Sequence, residues 1–266
     1  MRALLLAAGF GTRLRPLTDS IPKCLVPIHG RPLLDYWLEN LLDHGVDRVL
    51  VNTHYMAPMV QAYVQLSSWK HRVSLVHEES LLGTGGTILQ NSNFFQKEPF
   101  LVAHADNLTI FDMAEFNRGH VQRKAHTEIT MMVFETESPQ SCGIVELGKD
   151  CVVQAFHEKV ANPPSNLANA AVYIFEPEVV EWMASLKKRV IDISTEVIPY
   201  YLGRIYAYHN TQYHRDIGTL KSWQEANRDF PKRAIALPQN INAWDAVIPE
   251  SNILLQQFLQ SPSWPL

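Results

Sequence analysis

The sequence predicts an α/β protein, on three observations. Short apolar runs alternate with amphipathic stretches through the first half, an apolar opening run leads straight into a loop with two glycines, and beyond Asp106 closely spaced strands take over. With 266 residues, 46% of them apolar, the chain can bury one substantial core, or one core and a small lobe. A single domain is the expectation.

The elements follow in order. Arg2 to Leu6 reads as a buried first strand, with Arg48 to Asn52, Val73 to Val76 and Phe100 to Ala103 as further strands. Between them, Leu33 to His44 sets Leu34, Leu38, Leu41 and Leu42 on one helical face, and Gly45 is placed to stop that helix. Met56 to Leu66 reads as a second helix, completing a βαβ series. In the second half, Glu128 to Phe134, Gly143 to Leu147, Val152 to Phe156 and Ala170 to Phe175 read as strands of an extended mixed sheet. Pro177 to Leu186 and Thr219 to Asp229 read as helices, the first opening on a proline suited to an early helical position. The tail after Phe230, with an apolar Ile253 to Leu259 and a Trp264-Pro265 ending, receives no task.

Composition narrows the function. A formal charge of -4 offers no broad basic field for a nucleic-acid backbone, although a local basic pocket could hold phosphates. Cys24, Cys142 and Cys151 are odd in number and lack CxxC spacing, which points to reduced thiols in the cytoplasm and away from a disulfide framework or a thiolate zinc site. Glycines interrupt the opening apolar run well before it could span a membrane, and no signal cleavage pattern follows it.

The segment LLLAAGFGTRLRPLT carries the chemistry. Gly9 and Gly11 can take positive φ and let backbone N–H groups approach an anion, while Arg13 and Arg15 add charge able to fork onto phosphate oxygens. A dinucleotide fingerprint needs a third glycine where Leu14 stands, and a P-loop needs a Gly-Lys-Ser or Gly-Lys-Thr that does not occur. Asp106 follows the apolar FLVAHA, at a strand end where open α/β sheets place ligands. Taken alone, an aspartate there is more often a turn or cap residue.

The blocks GTRLRPLT, PKCLVP, LLGTGG, HADN, EKV, NAAVYIF and RDIGT, in this order over positions 1 to 230, resemble the sugar-1-phosphate nucleotidylyltransferases, near the mannose- and heptose-1-phosphate guanylyltransferases. The resemblance implies a Rossmann-like three-layer α/β/α sandwich with a mixed, mainly parallel sheet and an appended sugar-binding portion. It makes residues 1–230 the catalytic domain and 231–266 a tail packed on it or following it.

It also implies roles. Leu6, Ala8, Gly9, Gly11, Thr12 and Arg13 bind the triphosphate, with Arg13 stabilising departing pyrophosphate, and Lys23 contacts the α-phosphate. Glu78, Gly83, Thr84 and Gly85 form the base pocket. Gly143, Glu158, Lys159 and Asn169 hold the sugar phosphate, with Arg13, Lys23 and Lys159 as the catalytic cations. Glu158 and Lys159 can serve one ligand only if the strand breaks, and Asn162 and Pro163 suggest where. Asp106 and Asp216 hold Mg²⁺, which prefers hard oxygen ligands. His104, His157 and His214 are read as local hydrogen-bond partners.

The resemblance implies GTP and mannose or heptose 1-phosphate as substrates, with UTP and an N-acetylhexosamine or N-acetylmuramate 1-phosphate as the first alternative and dTTP with glucose 1-phosphate or CTP with phosphocholine also open. It leaves a homodimer open and implies no nucleic-acid or membrane partner. Cys24, Ala105, Ala171 and Leu220 depart from the usual pattern at positions of proline, glycine, glycine and proline, which bears on substrate identity because no charged group is lost. A silent sugar-nucleotide sensor is the rival from another class. Retention of Arg13, Lys23, Asp106, Lys159 and Asp216 argues against it.

Overall fold

A computed structural model of the chain describes residues 1–231 and 240–248. The first elements are β1 (Arg2–Leu6), β2 (Pro27–Ile28), β3 (Arg31–Pro32), α1 (Leu33–Leu42), β4 (Arg48–Thr53), α2 (Ala57–Leu66) and β5 (Val73–His77). Next come α3 (Gly83–Gln90), β6 (Phe100–His104), β7 (Asn107–Thr109), α4 (Met113–Gln122), β8 (Ile129–Glu135), β9 (Gly143–Leu147), β10 (Val153–Glu158) and β11 (Leu167–Phe175). The last are α5 (Pro177–Ser185), α6 (Ile198–Tyr200), β12 (Ile205–His209), β13 (His214–Asp216), α7 (Leu220–Asp229) and α8 (Ile241–Val247). The expected α/β class is borne out, with strands in a mixed sheet and helices between them. Ile253 to Leu259 and the Trp264-Pro265 ending lie outside the described residues.

The chain forms two compact units. The first comprises Met1–Leu4, Ser80–Ala103 and Phe111–Gln212, and the second Leu5–Glu79, His104–Ile110 and the described residues from Tyr213 onward.

In the first unit β11 is the hub, pairing antiparallel with β6, β8 and β9, while β10 joins β9 antiparallel and β12 joins β8 in parallel. Its core is aromatic: Phe95 stacks on Phe100 at 3.9 Å between ring centroids, and Tyr173 on Phe175 at 5.3 Å. The GTGG of the LLGTGG block opens α3, a helix not expected from the sequence. Glycine is required here by close packing: the N–H groups of Gly85 and Gly86 donate to the Ile191 carbonyl at 2.8 and 3.1 Å. A Cβ on Gly83 or Gly86 would lie 2.5 Å from the carbonyl oxygen of Ile191 or Arg189.

In the second unit β4 and β5 pair in parallel. Gly45, at φ 99°, follows α1 and lets the Val46 N–H return to the Leu41 carbonyl at 3.0 Å. Below α1 lies a buried polar knot. Arg31 and Asp35, both 0% exposed, pair at 2.8 Å from Nε to Oδ2. Tyr63, Trp69 and Asn240 all donate to Asp35 Oδ1, at 2.8, 3.1 and 2.8 Å, so the buried carboxylate is surrounded by donors. Asn240 also accepts from the Ser68 N–H at 2.7 Å, and α8 packs on α2.

Candidate active site

The phosphate loop leaves β1 at Leu6, whose carbonyl accepts the Ala105 N–H at 3.0 Å, and passes through the buried Ala8. Only one of its glycines adopts the left-handed conformation anticipated for both. Gly11 has φ 64°, and a Cβ there would stand 3.0 Å from Thr18 Cγ2 and 3.3 Å from Lys23 Cβ. Gly9 lies outside that region, and nothing stands within 4 Å of its missing Cβ, so an anion can approach its backbone. Thr18, unmarked in the sequence reading, donates from Oγ1 to the Gly11 carbonyl at 2.7 Å and braces the loop. Thr12 and Arg13 are exposed on the turn that Gly11 opens. Arg15 instead pairs with Asp19 at 3.1 Å.

Lys23 begins a short turn after Pro22 and is buried, so its ammonium needs anionic company. It lies 2.5 Å from Asp106 Oδ2 and 3.4 Å from Asp216 Oδ1. The two acids come from distant stretches of chain, brought together by the antiparallel ladder of β7 and β13, in which Asp216 faces Asn107. The Ile217 N–H donates to the Asp106 carbonyl at 3.1 Å, extending that ladder. Gly218 leaves room for the carboxylate, since a Cβ there would meet Asp216 Oδ2 at 2.7 Å. Burial pushes the Asp106 carboxyl up, but Lys23 and then His104 outweigh it and hold it below its usual range. Asp106, in the turn between β6 and β7, and Asp216, at the end of β13, set two carboxylates around one cation, and hard oxygen donors of this kind fit a divalent metal such as Mg²⁺. Next door, burial pushes the Cys24 thiol up to about 12, so it is no thiolate nucleophile.

The sugar-phosphate candidates lie in the first unit. Gly143 on β9 faces Glu158 on β10, and a Cβ at Gly143 would strike the Phe156 ring and come within 2.8 Å of Glu158 Oε2. Lys159 has φ 50°, and its Nζ lies 3.0 Å from Glu158 Oε1. The strand thus breaks at Lys159 itself, ahead of Asn162 and Pro163. Asn169 donates to the Tyr173 hydroxyl at 2.6 Å and accepts the Ala171 N–H at 2.9 Å, within an irregularity of β11 where Ala171 has φ 52°. Two of its amide's four hydrogen-bonding sites are thereby used.

The base-pocket candidates fall in both units. Glu78, in the second, is buried; its N–H donates to the Thr53 carbonyl at 2.9 Å, and its carboxylate accepts from Asn52 at 2.9 Å. Gly83, Thr84 and Gly85 belong to the first. Thr84 Oγ1 accepts the Ile193 N–H at 2.7 Å, so this threonine and both glycines help seat α3. Asn52 and Gly218 went unmarked in the sequence. The signal for Gly218 was its place two residues after Asp216; Asn52, inside an apolar strand, gave none. Two of the three histidines are local hydrogen-bond partners: His214 meets Thr109 at 2.8 Å and His157 meets Glu146 at 2.7 Å.

Among the described residues no helix is long and apolar enough to cross a membrane. The family model for nucleotidyl transferases matches residues 2–233. A mannose-1-phosphate guanylyltransferase of Mycobacterium tuberculosis is 31% identical over 233 residues, covering 86% of this chain and 64% of that protein. A mannose-1-phosphate guanylyltransferase catalytic subunit beta of Drosophila pseudoobscura pseudoobscura is 34% identical over 231 residues, covering 84% of this chain and 60% of its own length. The chain therefore spans less than two thirds of these relatives. The crystal structure of HddC from Yersinia pseudotuberculosis complexed with GMP-PN superposes with a TM-score of 0.73 at 24% identity, over 86% of this chain and 99% of that one, and bears out the Rossmann-like fold. On the match of the family model to nearly all of its described length, the chain belongs to the nucleotidyl transferase family.

Proposed function

We propose that the chain is a sugar-1-phosphate nucleotidylyltransferase, which joins a nucleoside monophosphate to a sugar 1-phosphate and releases pyrophosphate. The observation that carries this reading is the convergence of Lys23 on Asp106 and Asp216, with Gly11 of the phosphate loop against the Lys23 side chain. That constellation suits a chelated polyphosphate. GTP is the proposed nucleotide and a mannose or heptose 1-phosphate the proposed acceptor. The guanylyltransferase relatives and the GMP-PN complex of HddC support this choice. The free thiols of Cys24, Cys142 and Cys151 support a cytoplasmic setting.

In the proposed reaction a phosphate oxygen of the sugar 1-phosphate forms a bond to the α-phosphorus, and the bond from that phosphorus to the oxygen bridging the β-phosphate breaks. The electron pair leaves with pyrophosphate. The nucleophile is already anionic, so no general base is needed, and catalysis reduces to orientation and charge neutralisation. Gly9 and Gly11 offer backbone to the triphosphate, Arg13 offsets charge on the departing pyrophosphate, and Lys23 neutralises the α-phosphate. Glu158 holds sugar hydroxyls and Lys159 the sugar phosphate. Asp106 and Asp216 would hold Mg²⁺, which when bound supplies Lewis-acid stabilisation of phosphoryl oxygens.

A pyrophosphate-release screen of GTP, ATP, UTP and CTP against a panel of sugar 1-phosphates tests the proposal. Turnover with GTP and mannose or heptose 1-phosphate is the expected result, and turnover confined to UTP with an N-acetylhexosamine or N-acetylmuramate 1-phosphate would replace the substrate assignment. Binding without release for every pair would support the silent sensor instead.

A further inference from the structure

One short segment at the end of β4 holds both the phosphate loop and the carboxylate proposed to read the base. Asn52 is 3% exposed and sits between two polar partners. Its Oδ1 accepts the Ala7 N–H at 2.7 Å, at the root of the loop, and its Nδ2 donates to Glu78 Oε1 at 2.9 Å. The orientation of the amide follows from its neighbour: a backbone N–H can only donate, so a flipped amide would lose the Ala7 bond. The next two residues repeat the pattern. The Thr53 carbonyl accepts the Glu78 N–H at 2.9 Å, and His54 Nδ1 meets the Glu78 carbonyl at 2.6 Å. Phe10, 43% exposed at the tip of the loop, packs edge-on against the His54 ring at 5.2 Å. Root and tip of the loop are thus braced by Asn52 and His54, which also brace Glu78.

We propose that Asn52 is a positioning residue that joins phosphate-loop geometry to base selection, by fixing Ala7 with its oxygen and the Glu78 carboxylate with its nitrogen. The inference rests on the reading of Glu78 as a base-contacting group. An amide bonded on both sides holds that carboxylate in one plane, and a reader of ring N–H groups discriminates only when its acceptors are so held.

Calorimetry of GTP, ATP, UTP and CTP binding to the full chain tests it, using Asn52→Asp, Glu78→Ala and the double variant. Aspartate keeps an acceptor for the Ala7 N–H and turns a second carboxylate toward Glu78. The expected result for Asn52→Asp is a fall of about tenfold in the ratio of Kd between the best-bound triphosphate and the others. In the Glu78→Ala background the same change should alter that ratio by less than about twofold, because Asn52 then has no reader to orient. Equal effects in both backgrounds, or a lowered Tm with the ratio unchanged, would overturn the inference by reducing Asn52 to a structural bond. Should Asn52→Asp not fold, Asn52→Ser takes its place with the same expected and overturning results. If the unaltered chain binds none of the four triphosphates, the functional reading falls together with the inference; an unchanged ratio in a chain that binds them removes the inference alone.

Discussion

Glu158 and Lys159 are adjacent in the chain, yet Lys159 Nζ lies 3.0 Å from Glu158 Oε1. On a continuing strand the two side chains would point to opposite faces. The φ of 50° at Lys159 ends β10 there, and the Lys159 N–H is held by the Cys142 carbonyl at 3.1 Å, so acid and base serve one place. An exposed ion pair of this kind contributes little to stability. Lys159→Ala is therefore expected to leave the urea midpoint nearly unchanged while raising KM for the sugar 1-phosphate by about tenfold or more. A changed midpoint with normal KM would remove Lys159 from the sugar-phosphate site.

Asp106→Asn preserves shape and removes a charge that pairs with Lys23 and that the proposed metal would need. Pyrophosphate release should fall by at least about a hundredfold, with the circular dichroism spectrum unchanged. Turnover like that of the unaltered chain would refute the metal assignment.

Ala171 occupies the left-handed region at φ 52°, which costs an L-residue roughly 1–2 kcal/mol relative to its ordinary conformations. Glycine avoids that cost but gains freedom in the unfolded chain. Ala171→Gly should raise stability by about 0.5–1 kcal/mol, read as a higher urea midpoint at constant slope. A lower midpoint would mean that the alanine methyl packs well enough to offset its strain.

Asp35 accepts from Arg31, Tyr63, Trp69 and Asn240. Asp35→Ala would leave the fully buried Arg31 without that partner and strand three further donors. The expected loss is about 3–5 kcal/mol in chemical denaturation. A loss within experimental error would show that water enters the knot and takes the place of the carboxylate.

His120 is buried, with Nδ1 meeting Thr130 Oγ1 at 2.8 Å; burial first, and Arg123 second, push its imidazole down to about 4 from an ordinary 6.5. Between those values the unfolded chain binds a proton that the folded chain refuses, so stability rises with pH across the window. The contribution is complete above pH 6.5 and is lost as pH falls toward 4, about 3 kcal/mol in all. Unfolding free energies measured at steps from pH 7 to 4 should fall less steeply for His120→Gln. Parallel curves would mean that His120 does not titrate differently on folding.

Much of the fold was legible locally. The runs that became β1, β4, β5 and β6 are short, apolar and bounded by turn residues, and α1 shows its leucine stripe and its stopping Gly45. Helix α4 went unread despite its Asp112 cap, while other unread elements have weak local signals. Strand β12 alternates aromatic residues with alanine, β7 and β13 have three residues each, and α3 begins with glycines that argue against a helix until the 189–191 segment is packed on them. Among the site residues, Lys23, Asp106 and Asp216 were readable from their blocks. Thr18 and Asn52 were not, because each acts through a backbone group distant in the chain.

The order of motifs by itself determined the family, the glycine loop after β1 and the identity of the charged groups, since these depend on residue type and local spacing. Tertiary structure alone decided that Lys23 lies against both acids, that the break after Glu158 falls at Lys159, and that the LLGTGG glycines seat a helix. Those outcomes turn on distances of 2.5 to 3.4 Å between groups brought together by strand pairing and close packing, and no one-dimensional pattern encodes such distances.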